Sequence, residues 1–250
     1  MNESFSIWDQ IPKTDPKYTK AANVAGNRLT SIEGVYMVKI ITQILGPIGI
    51  GWGYNITEER YDNTKPVMIK SGDGLEILKD GDSIVWEQTH TILIEMWAIK
   101  RENTFSQFGH TKYRYMKADG SKIIVDEEAP KKSLTDAMKK CLSLLGVCSD
   151  VFMNEFDDRA YVEAAQLESD LKKADNKDAE LVSKIDQFND FISDKINAMK
   201  QCPNIDALGK VYGLAANKAQ REAPILGIDI GAIMKSIDAC YHETSKNLKG

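Results

Sequence analysis

Four lysines in one short stretch, Lys131, Lys132, Lys139 and Lys140, are the residues whose type and spacing point most directly to chemistry. They sit in VDEEAPKKSLTDAMKKCLSLLGV, Val125 to Val147. Ammonium groups in such a row make no bonds; they bind polyanions by point-charge contacts to phosphate. Between Lys100 and Lys140 the chain holds ten Lys/Arg against six Asp/Glu, although its net charge is −5, so a polyanion site is expected within that span. Lys112 and Arg114 belong to it on charge and placement, and Lys20 and Arg28 are further basic candidates nearer the start. Other chemistries find less support. The glycine-rich stretch GPIGIGWGYN, Gly46 to Asn55, has no Lys-Ser/Thr pair after it and runs into a strand pattern rather than a helix, so it lacks the context of a phosphate loop. Cys141, Cys148, Cys202 and Cys240 contain no CxxC, and His90, His110 and His242 form no local pair, so no metal site is expected; the cysteines read as reduced, buried thiols.

The lysines must be held by a helix. Leu134, Ala137, Met138, Cys141, Leu142 and Leu145 recur at helical spacing, which leaves Lys132, Lys139, Lys140 and Ser143 on the other side. Asp126, Glu127 and Glu128 favour the helix N-terminus, Pro130 is tolerated in a first turn, and Gly146 marks the end. Asp136 reads as a structural partner of Lys132 or Lys140. A buried helix is predicted over Ile32 to Leu45, with Thr30-Ser31 supplying a hydroxyl at its start and Gly46-Pro47 stopping it. Strands are predicted at 52–60, 84–99 and 105–116, with short pieces at 64–80 and a turn at Ala118 to Lys122. From Asn154 to Asp178 the chain is acidic and lacks strand signals, which predicts a boundary or linker. Three helices follow, the first with Leu181, Ile185, Phe188, Ile192, Ile196 and Met199 on one stripe, the second from about Ile205 to Arg221, the third from about Asp229 to Leu248.

Three blocks taken together, KTDPKYTK with LTSIEG, GPIGIGWGY, and DEEAPKKSLTDAMKKCLSLLG followed by DVFMNEFDD, resemble the bacteriophage single-strand annealing proteins of the Sak type, in the Rad-fifty-two superfamily. They span residues 13–158. The resemblance implies an α+β fold, a twisted antiparallel β-sheet packed on a long helix, with an all-helical C-terminal segment outside its reach. It implies an annealing core over 1–158; the acidic composition predicts a linker over 159–177, and the helical region over 178–250, which the resemblance does not cover, is read as a segment for partner binding or regulation. The resemblance also implies ATP-independent binding and annealing of single-stranded DNA by a homo-oligomeric ring or filament, with no cofactor, no metal and no catalytic residue. Lys139 and Lys140 match the family's inner-groove basic pair; Ser143 stands where eukaryotic relatives have a further arginine, and Lys20 is near the position of another.

A host or phage single-strand binding protein or exonuclease is the partner class expected for the C-terminal helices. No run approaches the roughly 18 apolar residues of a membrane span. The first residues lack the basic-then-apolar pattern of a secretion signal, so a cytoplasmic address in a bacterial host is the expectation. The competing readings are a scaffold or ligand-binding domain with a solvated lysine face, and a metal-dependent nuclease, for which no Glu-x-Lys lies near the strong strands.

Overall fold

A computed structural model describes residues 7–24, 27–71 and 74–249, with the side chains of 24, 27 and 28 outside the description. The elements run β1 (Thr19–Val24), β2 (Asn27–Ile32), α1 (Gly34–Leu45), β3 (Trp52–Pro66), β4 (Met68–Ser71), β5 (Gly74–Ile77), β6 (Lys79–Asp80), β7 (Ser83–Ile84), β8 (Trp86–Ala98), β9 (Lys100–Met116), β10 (Ile123–Val125), α2 (Ala129–Leu144), α3 (Ser149–Phe152), α4 (Arg159–Lys173), α5 (Lys177–Lys200), α6 (Ile205–Leu226) and α7 (Ile230–Lys249). The fold is α+β, as expected. Two compact units form, one from 1–12 and 31–152, the other from 13–30 and 153–250.

The first unit is built on a four-stranded antiparallel sheet in the order β10-β9-β8-β3. Because β3, β8 and β9 pair over most of their length, alternate residues of all three share a face. Trp52, Ile92, Ile94 and Met96 are fully or nearly buried on one of them. The register shifts by one residue at Thr57, whose hydroxyl donates to the Leu93 carbonyl at 3.2 Å. It shifts again beside Gln88, where Tyr113 is the extra residue on β9. The β8–β9 turn is made at Ile99, a β-branched residue at φ 67, whose N–H donates to the Gly51 carbonyl at 3.0 Å.

The glycine stretch is a connection from α1 into β3, as expected. Gly46 leaves the helix at φ 90. At Gly53 a Cβ would lie 2.8 Å from the Trp97 ring, so that position is small because an indole covers it. The start of α1 differs from the sequence expectation. Ile32 ends β2, the helix begins at Gly34, and its N-cap Glu33 makes no side-chain cap, so the Thr30-Ser31 hydroxyls are spent in a strand rather than on a helix end.

In the second unit the expected linker is mostly helix. Asp158 caps α4 by accepting from the Ala160 N–H at 2.9 Å. Ala164, Ala165 and Leu167 are buried at helical spacing, a pattern that the surrounding acidic residues obscured. Only residues 174–176 break the chain before α5. The expected stripe on α5 is realised, with Phe188, Ile192 and Met199 buried against Leu208, Ala215 and Ala219 of α6 and Ile237 of α7. Asn204 caps α6, which runs past the expected end and through Pro224 to Leu226 before Gly227 closes it at φ 70. Residues 13–20, expected within the core of the sheet unit, group instead with these helices: Lys173 pairs with Asp15 and Lys13 with Glu168.

Candidate nucleic-acid interface

The helix carrying the lysines, α2, is seated on the sheet by its smallest residues. Ala129, Ser133, Ala137 and Cys141, each four residues from the next, are all 0% exposed. This row differs from the expected stripe, in which larger residues led; Leu134, Met138 and Leu145 are only half-buried. The reason lies in β9. A Cβ on Gly109 would stand 1.9 Å from the Ser133 carbonyl oxygen and 2.7 Å from the Ala137 nitrogen, so the helix backbone rests directly on the strand backbone. Small residues on one side and glycine on the other make that approach possible. The Ser133 hydroxyl donates to the His90 carbonyl at 3.2 Å and fixes the helix along β8.

With α2 so placed, its charged side chains reach the edge of β9. Lys140 Nζ donates to the Phe108 carbonyl at 3.0 Å and to Asp136 Oδ2 at 2.7 Å, and the same carboxylate oxygen accepts the His110 N–H at 3.1 Å. Phe108 and His110 are two residues apart, so the carbonyl and the N–H point to the same edge, and β10 pairs only with Arg114–Met116. The Asp136–Lys140 pair therefore acts as a side-chain surrogate for a neighbouring strand. Of the two partners expected for Asp136, Lys140 is the one realised.

The remaining cations have distinct settings. Lys131 pairs with Glu128 at 2.8 Å and Lys132 with Asp126 at 2.6 Å. These bonds, the Lys132 and Lys131 ammonium groups respectively, hold the Asp126 and Glu128 carboxyls below the usual carboxylate range. Lys131 and Lys132 stay exposed beyond α2's first turn. Lys139 is half-buried, with its stem beside Gly34 and Thr135. Lys112 is exposed on β9, its Nζ 5.5 Å from the Tyr115 ring centre. Arg114 Nε donates to the Trp86 carbonyl at 3.1 Å, a strand-to-strand contact.

Six of the expected residues thus lie in the sheet unit, while Lys20 and Arg28 lie in the helical unit. Lys20 is exposed on β1 beside a cavity of about 470 Å³ shared with Thr30, Phe156 and Asp157. Arg28 is on β2, and its side chain is outside the described residues.

Among the described residues no group of three or more His, Cys, Asp or Glu is placed to hold a metal ion, and no helix is long and apolar enough to cross a membrane. The helical unit has a cavity of about 490 Å³ between α4, α5 and α6. Its charged lining is paired internally, Lys218 with Glu222 at 2.5 Å and Lys184 with Asp170 at 3.2 Å.

Sequence reasoning missed Arg60, Phe108 and His110, which the register brings together on the other face of the sheet. The signal available was their alternation within single strands, but which residues of β3 oppose β8 depends on the bulge at Thr57. Neither a protein-family model nor a curated protein matches the chain.

Proposed function

We propose that the protein binds single-stranded DNA without sequence preference and anneals complementary strands, as an oligomer and without ATP. The observation that carries this reading is the α2 helix, pressed backbone to backbone on an antiparallel sheet, with Lys131, Lys132 and Lys139 outside its buried row and Lys140 reaching the edge of β9. The resemblance in the sequence blocks suggests the annealing function, and the α+β fold, an antiparallel sheet with a helix against it, supports that reading.

The carboxylates beside Lys131 and Lys132 do not argue against phosphate binding. Water and salt screen ion pairs at the surface, so a phosphate can replace the Glu128 carboxylate at little cost, and the exposed Lys132 ammonium can turn to one in the same way. Lys140 is different, because removing it also uncovers the Phe108 carbonyl. Lys131, Lys132 and Lys139 are therefore the cleaner probes of DNA contact.

The test is binding of a long single-stranded oligonucleotide by fluorescence anisotropy over a range of salt, with the particle mass followed by light scattering. Each phosphate contact on a single strand contributes about −0.7 to the slope of log K against log salt. Replacing Lys131 and Lys132 by Ala should flatten that slope by about 1.4 and leave the particle mass unchanged. A wild-type protein indifferent to DNA at low salt refutes the reading.

A further inference from the structure

The face of the sheet turned away from α2 carries its own set of planar and cationic groups. Gly109, on which α2 rests, opposes Ile92, so the neighbouring positions Thr91, Leu93, Phe108 and His110 project to the opposite side. Arg60 joins them from β3, opposite Thr91. Phe108, on the length of β9 that β10 does not cover, is 38% exposed, a large ring on the face of a sheet. His110 stacks with it, centroids 5.9 Å apart and planes 15° apart, and the Arg60 guanidinium lies 5.7 Å from the same ring.

These groups are held in place rather than left loose. Arg60 Nε donates to Asp62 Oδ1 at 2.8 Å, and Arg60 also pairs with Glu58. Asp62 in turn accepts from the Thr91 hydroxyl at 2.6 Å, whose oxygen lies 3.2 Å from His110 Nδ1. One network thus orients both the guanidinium and the imidazole around Phe108.

Two further cation–ring pairs flank this centre. Arg101 lies 4.7 Å from the Trp97 ring centre, and Lys112 lies 5.5 Å from that of Tyr115. Along β8, Trp97, the partner of Phe108 (Leu93) and the partner of Lys112 (Thr89) are each four residues apart. That spacing puts each pair about 13 Å from the next. Glu58 and Asp62 offset the Arg60 charge, so the cations open to phosphate are Arg101 and Lys112 at the two ends, with planar side chains between them; that arrangement matches a strand whose phosphates alternate with planar bases, and a peptide has no such regular alternation.

We propose that this face is a stacking platform for the unpaired bases of a single strand, with Phe108 receiving a base between His110 and Arg60, and Arg101 and Lys112 taking flanking phosphates. This rests on the reading of the protein as a single-strand binder, and adds a site on the side of the sheet opposite α2.

The experiment compares anisotropy binding of an oligothymidylate and of an equally long abasic deoxyribose-phosphate chain, using the full chain as wild type, Phe108→Leu and Phe108→Trp, each checked for folding by tryptophan fluorescence. Wild type should prefer the base-bearing chain by about tenfold. Phe108→Leu should lose most of that preference with unchanged affinity for the abasic chain, and Phe108→Trp should keep it. A Phe108→Leu protein that retains the wild-type preference, or a wild type that binds both chains equally, overturns the platform and leaves DNA binding standing. A wild type that binds neither chain overturns the proposed function, and the platform with it.

Discussion

Gly109→Ala tests the seating of α2, on which the whole candidate interface depends. The added methyl would meet the Ser133 oxygen at 1.9 Å, the Ala137 nitrogen at 2.7 Å and the Ser133 carbonyl carbon at 2.9 Å. All three are backbone atoms, so no side-chain rotation relieves the collision. Ordinary contact requires α2 and β9 to separate by about 1.5 Å, a gap that forfeits most of the dispersion attraction along the Ala129–Cys141 row. Overpacking of this kind costs roughly 1–3 kcal/mol. The lift also stretches three bonds, Ser133 to His90, Lys140 to Phe108 and His110 to Asp136. With each worth roughly 0.5–1.5 kcal/mol net, the expected loss is about 5 kcal/mol. That is a large share of the roughly 5–15 kcal/mol a domain has.

The assay can isolate the right unit, because the four tryptophans, Trp8, Trp52, Trp86 and Trp97, all lie in the sheet unit. In a urea titration of Gly109→Ala the tryptophan fluorescence transition should move to lower denaturant. The far-UV signal, to which the long helices of the other unit contribute heavily, should then lag behind it. A substituted protein whose fluorescence midpoint matches wild type would mean that α2 does not rest on Gly109, and the lysine placement would fall with it.

Three other outcomes follow from individual contacts. Asp136→Ala with Lys140→Met should speed hydrogen exchange at the His110 amide, which loses its side-chain acceptor, and destabilise the sheet unit by about 1–2 kcal/mol; an unchanged exchange rate would show that the edge is protected in another way. The Thr91 hydroxyl and then Arg60 hold the Asp62 carboxyl below the usual carboxylate range, so its stabilising contribution is full above that range and lost as pH falls through the depressed value. Thr91→Val should raise the Asp62 titration toward the ordinary range in an NMR pH series and bring acid unfolding of the sheet unit to higher pH; an unmoved titration would refute the network. Burial pushes the Cys141 thiol up to about 11, so at mildly alkaline pH Cys202, the one cysteine not buried, should be alkylated first, and early modification of Cys141 would contradict its place in the buried row of α2.

What could be read from the sequence was whatever depends on periodicity along one segment. The stripes of α5 and α7, the strands around Trp97 and Tyr113, and the helix under the lysines all have local patterns long enough to be unambiguous. Two local readings lost to competing physics. At Thr30-Ser31 a hydroxyl pair before an apolar run looked like a helix cap, but β2 took both residues by pairing with β1. Along α4, charge concealed a weak Ala-rich stripe whose burial depends on the helix it meets, α6. Neither outcome is decided within the segment itself.

The candidate site shows the same division more sharply. That Asp136 and Lys140 would pair follows from their separation of one helical turn. That the pair would then satisfy an open strand edge does not, because Phe108 and His110 lie some thirty residues earlier and reach α2 only after Gly109 has brought the two backbones together. The consequence for function is a separation of roles within one lysine row. Lys140 maintains the edge of β9 and so contributes to any DNA site chiefly by keeping the sheet intact. Lys131, paired with the exposed Glu128, and Lys132, itself exposed although its partner Asp126 is partly buried, are the ones the proposed reading assigns to phosphate. On the proposed annealing reading, a residue that resembles a family position by sequence is spent on the fold, and phosphate contact is expected from its neighbours on the same helix.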